Sequence, residues 1–539
     1  MKVLDLRQLE NNLQIETDLC IVGSGPAGLS IAKEFAGTNI QVWVLESGGK
    51  TEEPDTQALY NIENVGAPRT IDQSLMRTRI YGGTSHIWTG RCAPFSEIDF
   101  QHRPWVPYSG WPITRKELDP YLERAGINLG LGPHCYDERL WKLFKNTPPK
   151  PAVDTTHLKP EFWQFSKSID NAGEPARFGR NFMPSGASNI HLLLHANVTH
   201  INTDEEGRRF ESVEVSTLEK KTAQIKAKAV VLCCGGIENA RLLLASNRLL
   251  PQGLGNQTDM VGRFLMDHLG CVVGIFDNRR ANKVRSRYGH YWIDNEQGRH
   301  VYLHGLALSP TVQKHEQLLN CAASLEEYSA GNDPWLTIRQ LRSALKDQKI
   351  TPQTYREALA ILARPQTLVQ GAYRRYVKHR PPLVQAERVD LYCLVEQQPD
   401  PNSRVTLSTE KDALGMPISR IDWKVSEMER QSIRRLSHLI CQEFRRIGLP
   451  QPQLAEWLDD KENWMSGIVD RAHHTGTTRM TLNPKEGVVD TNCQVHGVEG
   501  LFVAGSSVFP TSGHANPTLM LVALSIRLAD WLKANPFAA

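Results

Sequence analysis

Residues 18–37, DLCIVGSGPAGLSIAKEFAG, decide the fold of this chain. An apolar, β-branched run leads into a glycine turn, and small and apolar residues then recur on one face of a predicted helix. Residues 38–49, TNIQVWVLESGG, supply a second apolar strand that ends at Glu46. A strand, a glycine turn, a helix and a second strand in this order predict the first unit of an α/β, Rossmann-like sheet.

The glycine turn has the spacing of a dinucleotide-binding turn, G-x-G-x-x-G, with its glycines at Gly23, Gly25 and Gly28. These positions permit the tight turn, the close approach of the backbone to a pyrophosphate, and the packing of the helix on its strand. The helix, which also carries Ala27, directs its free N–H groups and positive dipole end at the phosphates.

An acid at the end of the second strand completes this motif. Glu46, followed by Ser47, comes 18 residues after Gly28. A carboxylate there can accept hydrogen bonds from both ribose hydroxyls and would repel the additional phosphate of NADP. The turn alone leaves FAD and NAD as alternatives.

A second glycine-rich segment, residues 80–95, reads IYGGTSHIWTGRCAPF. Glycines allow a close approach of the backbone, and hydroxyls offer hydrogen bonds, so this loop can lie flat against a large planar ligand. A structural glycine turn is the alternative. The candidate ligand-binding residues here are Gly82, Gly83, Thr84, Ser85 and Trp88.

Residues 190–246 predict a second strand–glycine–helix unit. Hairpin-like strands lead to a buried strand at 229–233, a Gly235-Gly236 turn and a helix that begins near Glu238. We expect this unit to lie beside the first in the same sheet. The residues predicted to flank an adenine are Val198, Cys234 and Gly235. Cys234 is interpreted as a small buried residue and not as a redox group.

Two C-terminal segments carry further candidate residues. Residues 471–480 read RAHHTGTTRM, and residues 500–532 read GLFVAGSSVFPTSGHANPTLMLVALSIRLADWL. The second segment predicts a buried strand, a turn at Gly505-Ser506-Ser507, and a long apolar helix whose first turn is Asn516-Pro517-Thr518. Proline is tolerated at a helix start, where its missing N–H would be unpaired in any case.

Taken together, these segments resemble the glucose-methanol-choline (GMC) oxidoreductases along most of the chain. Seven segments match that family in order: VGSGPAG with Glu46, YGGTSHIWTG, VVLCCGGIENARLLL, MVGRFLMDH (260–268), EQQPDPNSRVTL (396–407), HHTGTTRM, and VAGSSVFP followed by NPT. The resemblance implies FAD as the cofactor, bound in a discontinuous Rossmann-like domain. It also implies an α+β substrate-binding domain built on an antiparallel sheet.

The order of the motifs gives the expected domain boundaries. The FAD-binding domain is expected to comprise residues 1–115, 190–275 and 465–539, and the substrate-binding domain residues 116–189 and 276–464. We expect the second domain to be centred on a sheet that includes Val405 to Asp422. Its predicted pocket-lining residues are Tyr291, Trp292 and His304, with ordinary sheet packing as the alternative.

The resemblance implies a catalytic pair. His473, in preference to His474, matches the family's histidine, and Asn516, 43 residues later, matches its partner better than the nearby His514 does. His473 would accept the hydroxyl proton of an alcohol while a hydride leaves the alcohol carbon for flavin N5, and Asn516 would orient the oxygen. The helix start, with Pro517 and Thr518, would face the pyrimidine edge of the flavin.

Some members of the family attach FAD covalently through a histidine that directly precedes the matching tryptophan. In this chain Ile87 precedes Trp88, and His86 lies one residue earlier. We therefore expect non-covalent FAD.

The sequence resembles the branch of the family that includes pyranose oxidase and the fructose dehydrogenase large subunit, which predicts a sugar or sugar-like alcohol as the substrate. Oxygen, an acceptor protein or a quinone would then reoxidise the flavin. A lyase or decarboxylase on the same fold, and a non-catalytic electron-relay subunit, are the alternatives.

The composition bears on nucleic-acid binding, metal sites, disulfides and cellular location. The chain has 539 residues, with 62 basic and 59 acidic side chains, a balance too near neutral to favour nucleic acid. Its ten cysteines show neither metal-ligand spacing nor a disulfide framework, so we expect reduced thiols, no metal site and a cytoplasmic location. We expect no signal peptide and no transmembrane segment. Residues 334–385 predict basic helices, whose role could be a solvated face, an acidic partner or a membrane surface.

Overall fold

The computed structural model of the chain describes residues 1–69, 72, 76–168, 174–179, 182–184, 186–329, 365–383 and 385–535. Its strands are β1 (Lys2–Asp5), β2 (Leu13–Val22), β3 (Val42–Leu45), β4 (Ile62–Asn64), β5 (Arg91–Cys92), β6 (Leu158–Phe165), β7 (Ile190–Leu194), β8 (Asn197–Thr203), β9 (Phe210–Ser216), β10 (Thr222–Leu232), β11 (Leu269–Phe276), β12 (His290–Asn295), β13 (Gly298–Leu308), β14 (Cys321–Ser329), β15 (Ala386–Val395), β16 (Arg404–Lys411), β17 (Pro417–Asp422), β18 (Gln453–Leu454), β19 (Val469–Asp470) and β20 (Leu501–Val503). Its helices are α1 (Pro26–Glu34), α2 (Pro54–Ala58), α3 (Glu97–Phe100), α4 (Arg115–Asn128), α5 (Leu140–Leu143), α6 (Gly235–Ala245), α7 (Asn278–Arg285), α8 (Pro310–Glu316), α9 (Pro365–Tyr376), α10 (Glu427–Arg446) and α11 (Thr518–Ala534).

The first sheet has the strand order β1-β7-β3-β2-β10-β9-β8, and β20 pairs with β10 beside this path. The strands at its centre are parallel: Leu19 to Val22 of β2 pair with Ala229 to Leu232 of β10. These residues are buried, as expected of a parallel sheet covered on both faces. The predicted α/β fold is therefore confirmed, and the two strand–glycine–helix units lie side by side.

Helices cover this sheet where the sequence has small and apolar residues. The helix α1 begins directly after the glycine turn, and α6 begins at Gly235, three residues before the predicted start at Glu238. The apolar helix α11 packs against α1 and α4. Among the described residues, no helix combines the length and the apolar character that crossing a bilayer would require.

The second sheet has nine strands, with the order β18-β11-β15-β14-β13-β6-β5; β12 pairs with β13, and β19 with β11. All of its pairings are antiparallel, which confirms the predicted antiparallel sheet. The amphipathic helix α10 packs on β11, β13, β14 and β15.

The prediction that Val405 to Asp422 belong to the large antiparallel sheet is wrong. These residues form β16 and β17, which build a separate three-stranded sheet with β4. Ser419 of β17 lies opposite Ile62 of β4 in a parallel pairing. Such long-range pairing leaves no local signal in the sequence, because the alternation of side chains looks the same in either sheet.

Tyr291, Trp292 and His304 do not line the cavity described below, so their assignment as pocket-lining residues is corrected. Tyr291 and Trp292 are buried, and the His304 ring stacks on Phe162 with ring centres 4.8 Å apart. Side chains alternate across a strand, so a shift of one residue changes the face of the sheet. Of the predicted helical region 334–385, residues 334–364 and 384 lie outside the described residues.

Candidate active site

One elongated cavity of about 770 Å³ runs along the carboxyl edge of the first sheet and ends against the second sheet. Parallel strands β2, β3, β10 and β20 end together at this edge, so the turns that follow them meet there. The predicted site residues that line the cavity are Gly23, Gly25, Ala27, Glu46, Ser47, Gly83, Thr84, Ser85, Trp88, Val198, Cys234, Gly235, His473, Gly505, Ser506, Asn516, Pro517 and Thr518.

Two predicted residues, Gly28 and Gly82, lie behind the cavity wall. A Cβ on Gly28 would overlap the carbonyl oxygen of Gly23, and one on Gly82 would overlap the carbonyl oxygen of Phe178. Gly82 also needs a positive φ of 103°. Both glycines are therefore required for packing, which holds the lining residues in place.

Other glycines face open space instead. A Cβ on Gly25, Gly235 or Gly505 would meet no atom within 4 Å, although each glycine lines the cavity at the end of a strand. The helices α1 and α6 begin at two of these turns, so their free N–H groups face the cavity. This arrangement leaves room for a phosphate-bearing ligand against the backbone, as a dinucleotide requires.

Glu46 lies in the cavity wall at the end of β3. Its Oε2 accepts hydrogen bonds from the backbone N (3.1 Å) and the Oγ (2.5 Å) of Ser24, and its Oε1 accepts one from the N of Gly48 at 2.8 Å. Its Oε1 also accepts a longer hydrogen bond from Ser47 Oγ at 3.4 Å, which fills the fourth of about four acceptor positions; a ligand hydroxyl would take the place of this weakest bond. Cys234 lies nearby, and burial raises the pKa of its thiol to about 12, which fits a packing role.

His473 and Asn516 meet at the cavity wall. The Nδ2 of Asn516 lies 3.3 Å from the Nε2 of His473, and Asn516 Oδ1 has no hydrogen-bond partner among the described residues. The two residues come from the segment after β19 and from the turn before α11. A small ligand in the cavity can contact both side chains at once.

A chain of hydrogen bonds fixes the proton on His473. The carbonyl of Gly513 can only accept, so His268 Nε2, 2.8 Å away, carries the hydrogen. Neutral His268 then has an acceptor at Nδ1, which lies 2.8 Å from His473 Nδ1. His473 Nδ1 therefore donates, and the lone pair of His473 Nε2 is left facing Asn516 and the cavity.

Burial keeps both histidines neutral. It lowers the pKa of His268 to about 4. Burial, followed by the electrostatic interaction with His268 and the charges of Arg471 and Arg91, lowers the pKa of His473 well below its usual value. An unprotonated His473 is the form that can accept a proton.

Asp267 holds the two histidine backbones. Its Oδ1 accepts from the N of His268 and from the N of His473, each at 2.8 Å. Arg69 Nη1 lies 3.3 Å from Asp267 Oδ2 and 3.0 Å from Asp470 Oδ2. Burial raises the pKa of Asp267 to about 6 despite the Arg69 charge. The last two residues of the MVGRFLMDH motif, Asp267 and His268, therefore belong to the site, although the motif alone predicted no role for them.

The neighbouring histidines are placed differently. His474 also lines the cavity and is buried, and its Nε2 lies 3.7 Å from Asp267 Oδ2. His514 is also buried, lies outside the cavity lining, and packs edge-on against Trp163. His86 does not line the cavity either, and its Nε2 lies 2.9 Å from the carbonyl oxygen of Tyr81.

Beside Cys234 the cavity is lined by a cluster of charged side chains that the sequence did not predict. Glu238 pairs with Arg77 at 3.1 Å, with Arg79 at 2.9 Å and with Arg241 at 3.1 Å. Although burial alone would raise the pKa of Glu238, the three arginines lower it to about 2. Arg77 and Arg79 both lie over the Tyr60 ring. These arginines immediately precede the quoted glycine-rich segment, which was read only from Ile80.

Comparison with known proteins decides the family. Two family models described as GMC oxidoreductase match this chain, an N-terminal one over residues 179–270 and a C-terminal one over residues 399–525. The C-terminal match contains both His473 and Asn516. The chain belongs to the GMC oxidoreductase family.

Relatives of this GMC oxidoreductase match along nearly its whole length. The fructose dehydrogenase large subunit of Gluconobacter japonicus is 22% identical and covers 96% of this chain and 98% of its own. The 2-methyl-1,2-propanediol dehydrogenase of Mycolicibacterium austroafricanum is 23% identical, over 96% of this chain and 95% of its own. The crystal structure of formate oxidase superimposes with a TM-score of 0.58 at 17% identity, over 98% of this chain and 99% of that one, which supports the fold.

Family membership identifies the cofactor and the general reaction. This GMC oxidoreductase is an FAD-dependent enzyme that oxidises CH–OH groups. The cavity fits FAD on its own geometry: open glycine turns face it at Gly25, Gly235 and Gly505, and His473 lies in its wall.

Proposed function

We propose that this GMC oxidoreductase oxidises a CH–OH carbon of a sugar or a sugar-like alcohol, with His473 as the base and Asn516 positioning the hydroxyl. One observation carries the proposal. His473 Nε2 and Asn516 Nδ2 lie 3.3 Å apart in the cavity wall, and the hydrogen bonds behind His473 leave its Nε2 unprotonated.

FAD, when bound, supplies the acceptor for the hydride that leaves the alcohol carbon. The chain's own residues do the proton chemistry. The substrate hydroxyl donates to His473 Nε2, and Asn516 Nδ2 donates to the same oxygen. As the proton moves to Nε2, Asn516 stabilises the charge that develops on the oxygen, because a neutral amide donor does not compete for the proton. His268 Nδ1 then accepts the hydrogen bond from a positively charged His473, which makes that bond stronger.

We also propose which residues bind the cofactor. Glu46 would accept from the ribose, Val198 and the Cys234-Gly235 turn would flank the adenine, and the amides at the start of α11 would face the flavin pyrimidine edge. We propose non-covalent FAD, since Ile87 occupies the position that carries the attachment in some relatives.

We propose that the domains follow the two large sheets, except that the short strands β5 and β19 of the second sheet lie in segments of the FAD-binding domain. The FAD-binding domain would comprise residues 1–115, 190–268 and 465–539, and the substrate-binding domain residues 116–189 and 269–464. The boundary moves from 275 to 268 because β11 pairs with β15 in the second sheet.

The likeness to the fructose dehydrogenase large subunit along both chains supports a sugar as the substrate. The test is anaerobic bleaching of the purified flavoprotein by sugars, cyclitols and simple alcohols, followed by readmission of oxygen. We expect a sugar or cyclitol to bleach the flavin faster than a simple alcohol. Oxygen that restores the colour would identify an oxidase, and colour that returns only with a quinone or an acceptor protein would identify a dehydrogenase.

Two results would contradict the proposal. Product formation without any bleaching would indicate a lyase or a decarboxylase. Failure of every alcohol in the panel to bleach the flavin would indicate an electron-relay subunit.

A further inference from the structure

The end of the cavity that lies on the second sheet carries two arginines. Arg91 opens β5, and Arg471 follows β19; both line the cavity, as His473 does. Both charges lie near enough to His473 to lower its pKa, after the larger effect of burial. They therefore lie in the same part of the cavity wall as the proposed base.

Neither arginine is neutralised within the described part of the chain. The structure gives neither guanidinium a carboxylate partner within 4.0 Å there. Arg91 donates one hydrogen bond, from Nη2 to Ser324 Oγ at 3.1 Å, and stacks over the Trp163 ring at 4.0 Å; its buried Nε has no partner among the described residues. Arg471 lies over the Tyr392 ring at 5.2 Å. Arg471 is partly exposed, whereas Arg91 is buried at its Nε; a buried cation is costly unless it is paired, so a partner for Arg91 from outside the chain is expected here.

Tyr392 also indicates a ligand at this end of the cavity. It is 6% exposed and lines the cavity, and its hydroxyl has no hydrogen-bond partner among the described residues. A Cβ on Gly270 would overlap that hydroxyl and would crowd the Arg471 side chain. The absence of a side chain at position 270 thus lets the hydroxyl and the guanidinium share one space.

The charge balance selects the ligand. Two acids line this end of the cavity, and Glu327 is already paired with Arg285 at 2.5 Å. Glu326 carries the remaining negative charge, and its Oε2 accepts from the Tyr328 hydroxyl at 3.4 Å. Burial raises the pKa of Glu326, while Arg471 and Arg91 oppose that shift. With Glu326 ionised, two arginines against one glutamate leave one positive charge, which a carboxylate balances and a phosphate dianion exceeds.

We propose that the substrate carries a carboxylate beside the alcohol that is oxidised, and that Arg91, Arg471 and Tyr392 bind this carboxylate. The substrate class is then a hydroxy acid or a sugar acid. This inference rests on the proposed function, because it assigns a second group to the same substrate. The carboxylate undergoes no chemistry; it fixes the orientation of the alcohol against His473 and Asn516.

The experiment compares acids with their neutral amides, which keep every hydroxyl. Anaerobic flavin reduction by the holoenzyme is measured with gluconate and gluconamide, glucuronate and glucuronamide, and lactate and lactamide. We expect kcat/KM for the best acid to exceed that for its amide by about 10- to 100-fold, the effect of one or two charge-assisted hydrogen bonds. Arg471→Gln should reduce this ratio about tenfold.

Arg248→Gln is the matched control, because Arg248 is an exposed arginine paired with Glu214 on the first sheet. It should leave the ratio unchanged, and flavin content should be equal in all variants. Equal rates for all three acids and their amides would overturn the inference, as would an unchanged ratio in Arg471→Gln. Inorganic phosphate that competes more strongly than acetate would overturn the choice of a carboxylate.

A binding measurement separates this inference from the proposed function. Calorimetric titration of the same acids into His473→Ala holoenzyme needs no turnover. Binding of an acid that Arg471→Gln weakens, without flavin reduction in the native enzyme, would support the anion site and contradict the proposed function. Reduction by neutral sugars with no preference for any acid, in rate or in binding, would overturn the anion site and leave the proposed function standing.

Discussion

The two ends of the cavity are built in different ways. At the cofactor end, turns that follow adjacent parallel strands present glycine backbone and helix N-termini, as at Gly25 and Gly235. At the substrate end, single side chains project from strands and loops far apart in sequence, such as Arg91, Tyr392 and Arg471. A backbone-lined site tolerates few residue types and therefore leaves a motif in the sequence; a side-chain site does not.

The proposed catalytic pair lies where the two ends meet. Asn516 belongs to the turn before α11, on the cofactor side, whereas His473 follows β19 of the second sheet. Substitutions at the cofactor end should therefore affect flavin binding, and those at the substrate end should affect flavin reduction.

The largest effect is expected from Gly28→Ala, which would break the cofactor end. The added Cβ would overlap the Gly23 carbonyl oxygen, so α1 must move away from β2. Overpacking of this kind costs about 1–3 kcal/mol or more of unfolding free energy. We expect purified Gly28→Ala to have a lowered Tm and almost no flavin, measured as the ratio of flavin to protein absorbance.

Gly25→Ala is the matched comparison, because a Cβ there meets no protein atom within 4 Å. The apoprotein should keep its native Tm, and FAD affinity alone should fall. A normal flavin content in Gly28→Ala would contradict the packing role of that glycine.

Asn516→Ala should leave the cofactor end intact and impair the reaction. Loss of the Nδ2 donor removes the stabilisation of charge on the substrate oxygen, which is expected to slow anaerobic flavin reduction about 100-fold. Flavin content should be native. Asn535→Ala, an exposed asparagine at the other end of α11, serves as the control. A native reduction rate in Asn516→Ala would remove this residue from the catalytic pair.

The smallest effect concerns pH. Protonated His473 cannot act as a base, and burial, with the electrostatic interaction with His268 and the charges of Arg471 and Arg91, lowers its pKa below the usual 6.5. Activity should therefore persist as the pH falls through 6.5 and decline only at lower pH. Arg471→Gln removes one cation, so the His473 pKa should rise and the acid limb of the kcat/KM profile should move toward 6.5. An acid limb already at 6.5 in the native enzyme would contradict the burial of this histidine.

At the cofactor end, most of the fold could be predicted from the sequence. The turn at Gly23 to Gly28, the strand before Cys234 and the helix start at Asn516 to Thr518 each impose a local residue pattern, and the structure brings them to one edge of one sheet. The start of α6 was misplaced by three residues, because helix N-termini are weakly marked where no side chain caps them.

The pairing of strands that lie far apart in the sequence could not be predicted. Nothing local to β17 shows that it pairs with β4, some 350 residues earlier in the chain. His268 illustrates the same limit at the site: its motif was recognisable, but its role depends on a 2.8 Å contact with a residue 205 positions later. Arg471 stood at the start of a quoted segment, and only the structure places it beside Tyr392.

The most direct test of His473 as the base is the rate of anaerobic flavin reduction in His473→Ala that is fully loaded with FAD, with the best alcohol substrate. Without the base, the rate should fall about a thousandfold or more while FAD remains bound. His102→Ala, which replaces an exposed histidine outside the cavity lining, should reduce its flavin at the native rate. A native rate in His473→Ala would contradict the account of where and how this enzyme oxidises its alcohol.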